Sequence, residues 1–145
     1  NIRWVMKKEL RSIPIFGLAC ERMGHIIVDR SDTKAAVESI NKARGKIKNG
    51  VSVVFFAEGT RSRKGEVKQF RKGAFRLAQE LGLPILPISI HDTNKVLPSD
   101  TLDWAPGRVK LKLHEPIPTK GLDLEDIDAI GEQTRQVIGK ALAES

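Results

Sequence analysis

Short apolar blocks recur along this chain, separated by Gly, Pro and charged residues, and their spacing alternates between strand and helix periods. Ile2 to Met6 reads as a strand, followed by the basic residues Lys7, Lys8 and Arg11. Pro14 suits the first turn of a helix to about Met23, with Ile15, Phe16, Leu18, Ala19 and Met23 as its apolar side. Gly24 stops it, and His25 to Val28 forms a second strand that ends in Asp29 and Arg30. Ser31 or Asp32 caps the next helix, in which Ala36, Ile40, Ala43 and Ile47 recur at helical spacing. Ser52 to Phe56 is a buried strand. Gly73 to Leu81 is a helix with Ala74, Leu77, Ala78 and Leu81 on one face, closed by Gly82 and Pro84. Ile85 to Ile90 reads as a strand that Pro87 confines to an edge or a bulge. A loop fills His91 to Gly107. Arg108 to Leu113 alternates as a half-exposed strand, and Asp123 caps a final helix to about Leu142.

Strands separated by helices predict an α/β fold with a mixed, partly parallel central sheet flanked by helices. At 145 residues, 40% of them hydrophobic and 30% charged, the chain is expected to form one domain over residues 1–145 with a real core. No apolar run approaches the roughly 18–20 residues that span a bilayer. The single cysteine, Cys20, excludes an internal disulfide or a cysteine zinc cluster and reads as a small buried apolar residue. The chain opens on Asn1 rather than methionine, and the expectation is a piece of a longer protein, truncated at its N-terminus.

Charge changes the picture. The net +7 divides into +11 over residues 1–76 and −4 over the remainder, which points to a basic face for phosphate, nucleic acid or anionic lipid. Seven basic residues lie between Arg61 and Arg76 against one acid, Glu66, directly after the strand Ser52–Phe56. A buried strand that ends in a glycine turn and delivers arginines suits an anion at the edge of a sheet. Aromatics are only 5% of residues, with no tyrosine and none interleaved among Arg61–Lys68, which disfavours nucleic acid as the partner.

The common catalytic signatures are missing: no phosphate-binding G-x-x-x-x-G-K-[ST] loop, no G-x-S-x-G elbow, no H-E-x-x-H and no G-x-G-x-x-G. His25, His91 and His114 have no metal-ligand spacing, so no metal and no bound cofactor is expected. What remains is a set of blocks. FAEGTRS (Phe56 to Ser62) resembles the F-P-E-G-T-R-S block of the glycerolipid acyltransferases, the family of the 1-acylglycerol-3-phosphate acyltransferases. GHIIVDR (Gly24 to Arg30) is similar to that family's second block, and LPILPIS (Leu83 to Ser89) to its fourth. QFRKGAFRLA (Gln69 to Ala78) matches the helix start that follows the third. Ala57 departs from the family's usual proline.

The resemblance implies a glycerol-3-phosphate acyltransferase-like fold and an acyl transfer of phospholipid synthesis. A lysophospholipid hydroxyl would attack the thioester carbonyl of acyl-CoA or acyl carrier protein, giving phosphatidic acid. It places Arg30 and Arg61 on the acceptor phosphate, since guanidinium forks fit phosphate oxygens bidentately. Gly59 would let backbone approach the ligand, Glu58 would bond acceptor hydroxyls or hold an arginine, and Thr60 would donate its hydroxyl. Lys72, at a helix start, is a secondary phosphate candidate. In the family the general base is a histidine oriented by an aspartate in H-x-x-x-x-D. These residues contain no such block, because Arg30, Val96 and Thr119 stand five positions after the three histidines. No catalytic residue is therefore assigned, and the chain alone is expected to be inactive. The substrate implies a membrane surface, at the cytoplasmic face, as a further partner. The alternatives are a non-catalytic basic module binding anions or membranes, and a family member using another acceptor.

Overall fold

A computed structural model describes residues 1–29, 35, 38–39, 41–42, 44–47, 50–60, 66–98, 101 and 103–144. Two compact units divide it, Asn1–Phe56 and Ala57–Ser145.

The first unit is built on a parallel three-stranded sheet in the order β2-β1-β3, from β1 (Ile2–Lys7), β2 (Ile26–Val28) and β3 (Ser52–Val54). β1 is central, with Val5 opposite Ile26 and Trp4 opposite Val54. Parallel neighbours require crossover connections, and the segments on either side of β2 supply them. Val5, Ile26 and Val28 are buried, as the apolar blocks predict, but the strand expected to be buried over Ser52–Phe56 stops at Val54 and none of those five residues is buried. The His25 ring accepts a hydrogen bond from the Trp4 backbone N–H through Nδ1 at 3.2 Å, just before β2. At the far end Trp4 stacks on Phe56, ring centroids 5.8 Å apart.

The crossover from β1 to β2 differs from expectation. A 3₁₀ turn, Lys8–Ser12, comes first, and α1 covers only Phe16–Arg22. Its buried residues are Gly17 and Cys20, while Ile15, Phe16, Leu18 and Met23 are exposed. The cause is close packing. A side chain at Gly17 would meet the Arg11 carbonyl oxygen, so the helix lies against the 3₁₀ turn on its small residues. Ile15 enters the helix at φ 66°, a conformation β-branched residues rarely adopt. Of the helix expected after Asp32, Ala36, Ile40 and Ala43 lie outside the described residues. Ala35, Glu38, Ser39, Asn41 and Lys42 are helical, and Ile47 is buried.

The second unit packs α2 (Gly73–Leu81) and a long C-terminal helix around Phe75, Ile117, Ile127 and Ile130. α2 has the predicted bounds and closes on Gly82 in the left-handed region, with Leu83 N–H donating to Ala78 O at 2.9 Å. Its deepest side chain is Phe75, while Ala74, Ala78 and Leu81 of the expected apolar face are only half-buried. Pro87 divides the next strand as anticipated. Ile85 makes an isolated bridge to Ile117, and β4 begins at Ile88 and runs to His91. A short helix, α3 (Thr93–Val96), interrupts the expected loop. β5 (Lys110–Leu113) pairs antiparallel with β4, Ile90 opposite Leu111. All four β5 residues are exposed, where alternation predicts half burial. A two-stranded ribbon leaves its outer strand without a covering neighbour on either face. The pairing is thus divided between a parallel and an antiparallel sheet within one mixed α/β fold.

Asp123 opens the C-terminal segment with a capping box to Asp126, and α4 (Ile127–Ala143) follows a single 3₁₀ turn. Ile127, Ile130, Thr134 and Ala141 form its buried stripe.

Candidate functional site

The turn after β3 is bound to the segment ahead of α2 by backbone and side-chain bonds. Arg71 N–H donates to the Ala57 carbonyl at 2.8 Å. Glu58 accepts from Lys68 N–H at 3.0 Å, so its carboxylate braces the two strands of the loop. Gly59 is buried with φ 71°, in the left-handed region that favours glycine. Thr60 is exposed. Arg30 and Arg61 lie outside the described residues, and the candidates within them are Glu58, Gly59, Thr60 and Lys72.

Lys72 is committed elsewhere. Its Nζ lies 2.7 Å from the Asp128 carboxylate in the first turn of α4. Both side chains are about 70% exposed, and a pair in that setting is weak and separable. The side chain at the turn is Arg71. A Cβ on Gly59 would stand 2.6 Å from Arg71 Nε and 2.9 Å from its Cδ, so this arginine crosses the face that the glycine leaves bare. Sequence reasoning missed Arg71. FRKGAF offers two adjacent cations, and only the fold decides which one turns toward the glycine.

The histidines each have other surroundings. His25 Nδ1 is occupied by the Trp4 backbone, and His114 Nε2 shares a hydrogen bond with the fully buried Ser89 at 2.7 Å. His91 is buried, and among the described residues neither of its ring nitrogens has a hydrogen-bond partner. Among the described residues none of them is hydrogen-bonded to a carboxylate, and no group of three His, Cys, Asp or Glu gathers as a metal site. Two carboxyls that do not belong to the turn are displaced. Asp92 is held below its ordinary value by hydrogen bonding to Lys95, and Glu132 by hydrogen bonding to Arg135.

The turn that follows the parallel strand β3 is thus a glycine turn braced by a glutamate and crossed by an arginine, within an α/β protein. Residues 1–91 match the family model described as Acyltransferase, and the chain belongs to that family. It is 34% identical over 125 residues to the chloroplastic 1-acyl-sn-glycerol-3-phosphate acyltransferase BAT2 of Brassica napus, which covers 86% of this chain and 36% of that protein. To a 1-acyl-sn-glycerol-3-phosphate acyltransferase of Cocos nucifera it is 33% identical over 142 residues, 97% of this chain and 46% of the relative. The crystal structure of the 1-acyl-sn-glycerophosphate (LPA) acyltransferase PlsC from Thermotoga maritima matches with a TM-score of 0.81 at 32% identity. That match covers 98% of this chain and 56% of the other. The chain therefore spans between a third and a little over half the length of these relatives.

Proposed function

We propose that these residues supply the acceptor-binding part of a 1-acylglycerol-3-phosphate acyltransferase. The acceptor hydroxyl attacks the thioester carbonyl of acyl-CoA or acyl carrier protein, the C–S bond breaks, and the thiol leaves as phosphatidic acid forms. The observation that carries this reading is the Glu58–Gly59–Thr60 turn, braced by Lys68 N–H and lying inside the family match. That match runs across the boundary between the two units, which supports one acyltransferase domain over residues 1–145.

Arg30 and Arg61 are assigned to the acceptor phosphate, where a bidentate guanidinium gives both charge and geometry. Glu58 shapes the loop and Gly59 keeps its backbone accessible. Thr60, exposed at the turn, supplies a hydroxyl donor. Lys72 reaches phosphate only by leaving Asp128, so its contribution is secondary. No residue is assigned as catalytic base.

A membrane surface at the cytoplasmic face is the expected workplace. Among the described residues no helix is long and apolar enough to cross a bilayer. The support is instead the exposed apolar residues in and beside α1, Ile15, Phe16, Leu18 and Met23, which neighbour in sequence the cations Lys7, Lys8, Arg11 and Arg22, of which Lys8 pairs with Asp29 and Arg11 with Glu21. Exposed apolar side chains near cations suit the interface of an anionic bilayer.

Arg61→Ala in the full-length protein tests the phosphate assignment. A lost bidentate contact is worth about 2–3 kcal/mol, a fall of roughly 30- to 150-fold in kcat/KM for lysophosphatidate. Thermal unfolding measured alongside separates lost binding from a lost fold. Unchanged acceptor kinetics would sink the assignment.

A further inference from the structure

Four described cations follow the turn: Lys68, Arg71, Lys72 and Arg76. Lys72 is neutralised by Asp128 at 2.7 Å and Arg76 by Glu80 at 3.0 Å. Arg71 differs from both. It is exposed, no described acid pairs with it, and its backbone is fastened to Ala57 at the root of the turn. Its Nε and Cδ occupy the space over Gly59 that any other residue would fill with its own side chain. An unneutralised guanidinium fixed at its stem beside a glycine turn loses little freedom on taking up an anion.

We infer that Arg71 binds the phosphomonoester of the acceptor, and that Gly59, already favoured by its φ of 71°, also leaves the room this side chain takes. The inference rests on the proposal that the turn is the acceptor site. At this turn the missing side chain makes room for an arginine of the same unit, which in turn meets the ligand. A phosphomonoester is also present on acyl-CoA, so the acceptor and donor must be tested apart.

The test uses the full-length protein, with Michaelis constants for lysophosphatidate and for acyl-CoA measured separately, and thermal unfolding of each variant. Arg71→Ala should raise the acceptor KM about tenfold, the equivalent of one charge-assisted hydrogen bond, and leave the donor KM unchanged. Arg71→Lys should recover part of the loss, because charge returns without the fork. Gly59→Ala should reproduce the acceptor defect by displacing Arg71, and Gly59→Ala combined with Arg71→Ala should be no worse in acceptor KM than the more affected single variant. Additive losses would overturn the coupling. A rise in donor KM alone would move Arg71 to the donor phosphate and overturn the assignment. A lower melting temperature with unaltered acceptor KM would make its role structural. If Arg61→Ala raises acceptor KM and Arg71→Ala does not, this inference alone fails. If neither variant changes acceptor KM, the acceptor reading of the turn fails with it.

Discussion

Thr119 shows how much a single side chain can hold. Its hydroxyl is fully buried and lies 3.1 Å from the Ala78 carbonyl and 2.8 Å from that of Leu83. The Ala78 carbonyl belongs to the last turn of α2, where intrahelical donors run out, and that of Leu83 lies just past the Gly82 stop. Thr119→Val keeps the shape and removes the donor, so it should lower unfolding stability by about 1–2 kcal/mol in a denaturant titration. A change within error would mean that the Leu83 N–H on the Ala78 carbonyl, and water on that of Leu83, suffice without the hydroxyl. At this same scale the sequence was only half readable. Glu58, Gly59 and Thr60 stand out as a block, and Gly59 has the left-handed φ expected of a glycine in a turn. The choice between Arg71 and Lys72 was not legible. The acid that claims Lys72 is Asp128, 56 positions away, and no local pattern brings those two together.

Elements follow local rules until packing decides which face is buried. α2 and the Asp123 cap were legible because a helix stop and an N-cap are local hydrogen-bonding problems. α1 was read inside out. Its large apolar residues suggest the buried side, yet the approach of the helix to the Arg11 carbonyl selects Gly17 and Cys20 for the interior. Ile15 is left 86% exposed. The proposal that this side meets an anionic membrane has a direct test at the level of the element. Ile15→Asp with Phe16→Asp should reduce binding of the full-length protein to anionic phospholipid vesicles by tenfold or more, since each buried side chain is worth about 1.5–3 kcal/mol. The same substitutions should change thermal stability little, because surface positions usually contribute within about 0.5 kcal/mol. Vesicle binding that survives both changes removes α1 from the interface. β5 gives the opposite lesson: its alternation is that of a half-buried strand, but a two-stranded ribbon provides nothing to cover it.

For the whole molecule, membership of the acyltransferase family sets the chemistry that has to be accounted for. Such a transfer needs a base for the attacking hydroxyl. The 145 residues hold three histidines, none followed at the fifth position by an aspartate. Purified as it stands, the 145-residue chain should therefore show no acyl transfer to lysophosphatidate above the uncatalysed rate, even with both substrates saturating. Measurable turnover abolished by substituting His25, His91 or His114 would place a base within these residues and overturn that expectation.

The sequence by itself determined the α/β class, most element positions and the family, because hydrophobic period, glycine stops and the EGTRS block are written in consecutive residues. Tertiary structure alone decided the rest. It turned the small side of α1 inward, divided strand pairing between two sheets, gave Lys72 to Asp128 and laid Arg71 over Gly59. Each of these outcomes depends on close approach between residues distant in sequence or on which of two neighbouring side chains has room. Such choices are settled by steric fit and pairing within the folded units, and they leave no periodic trace along the chain.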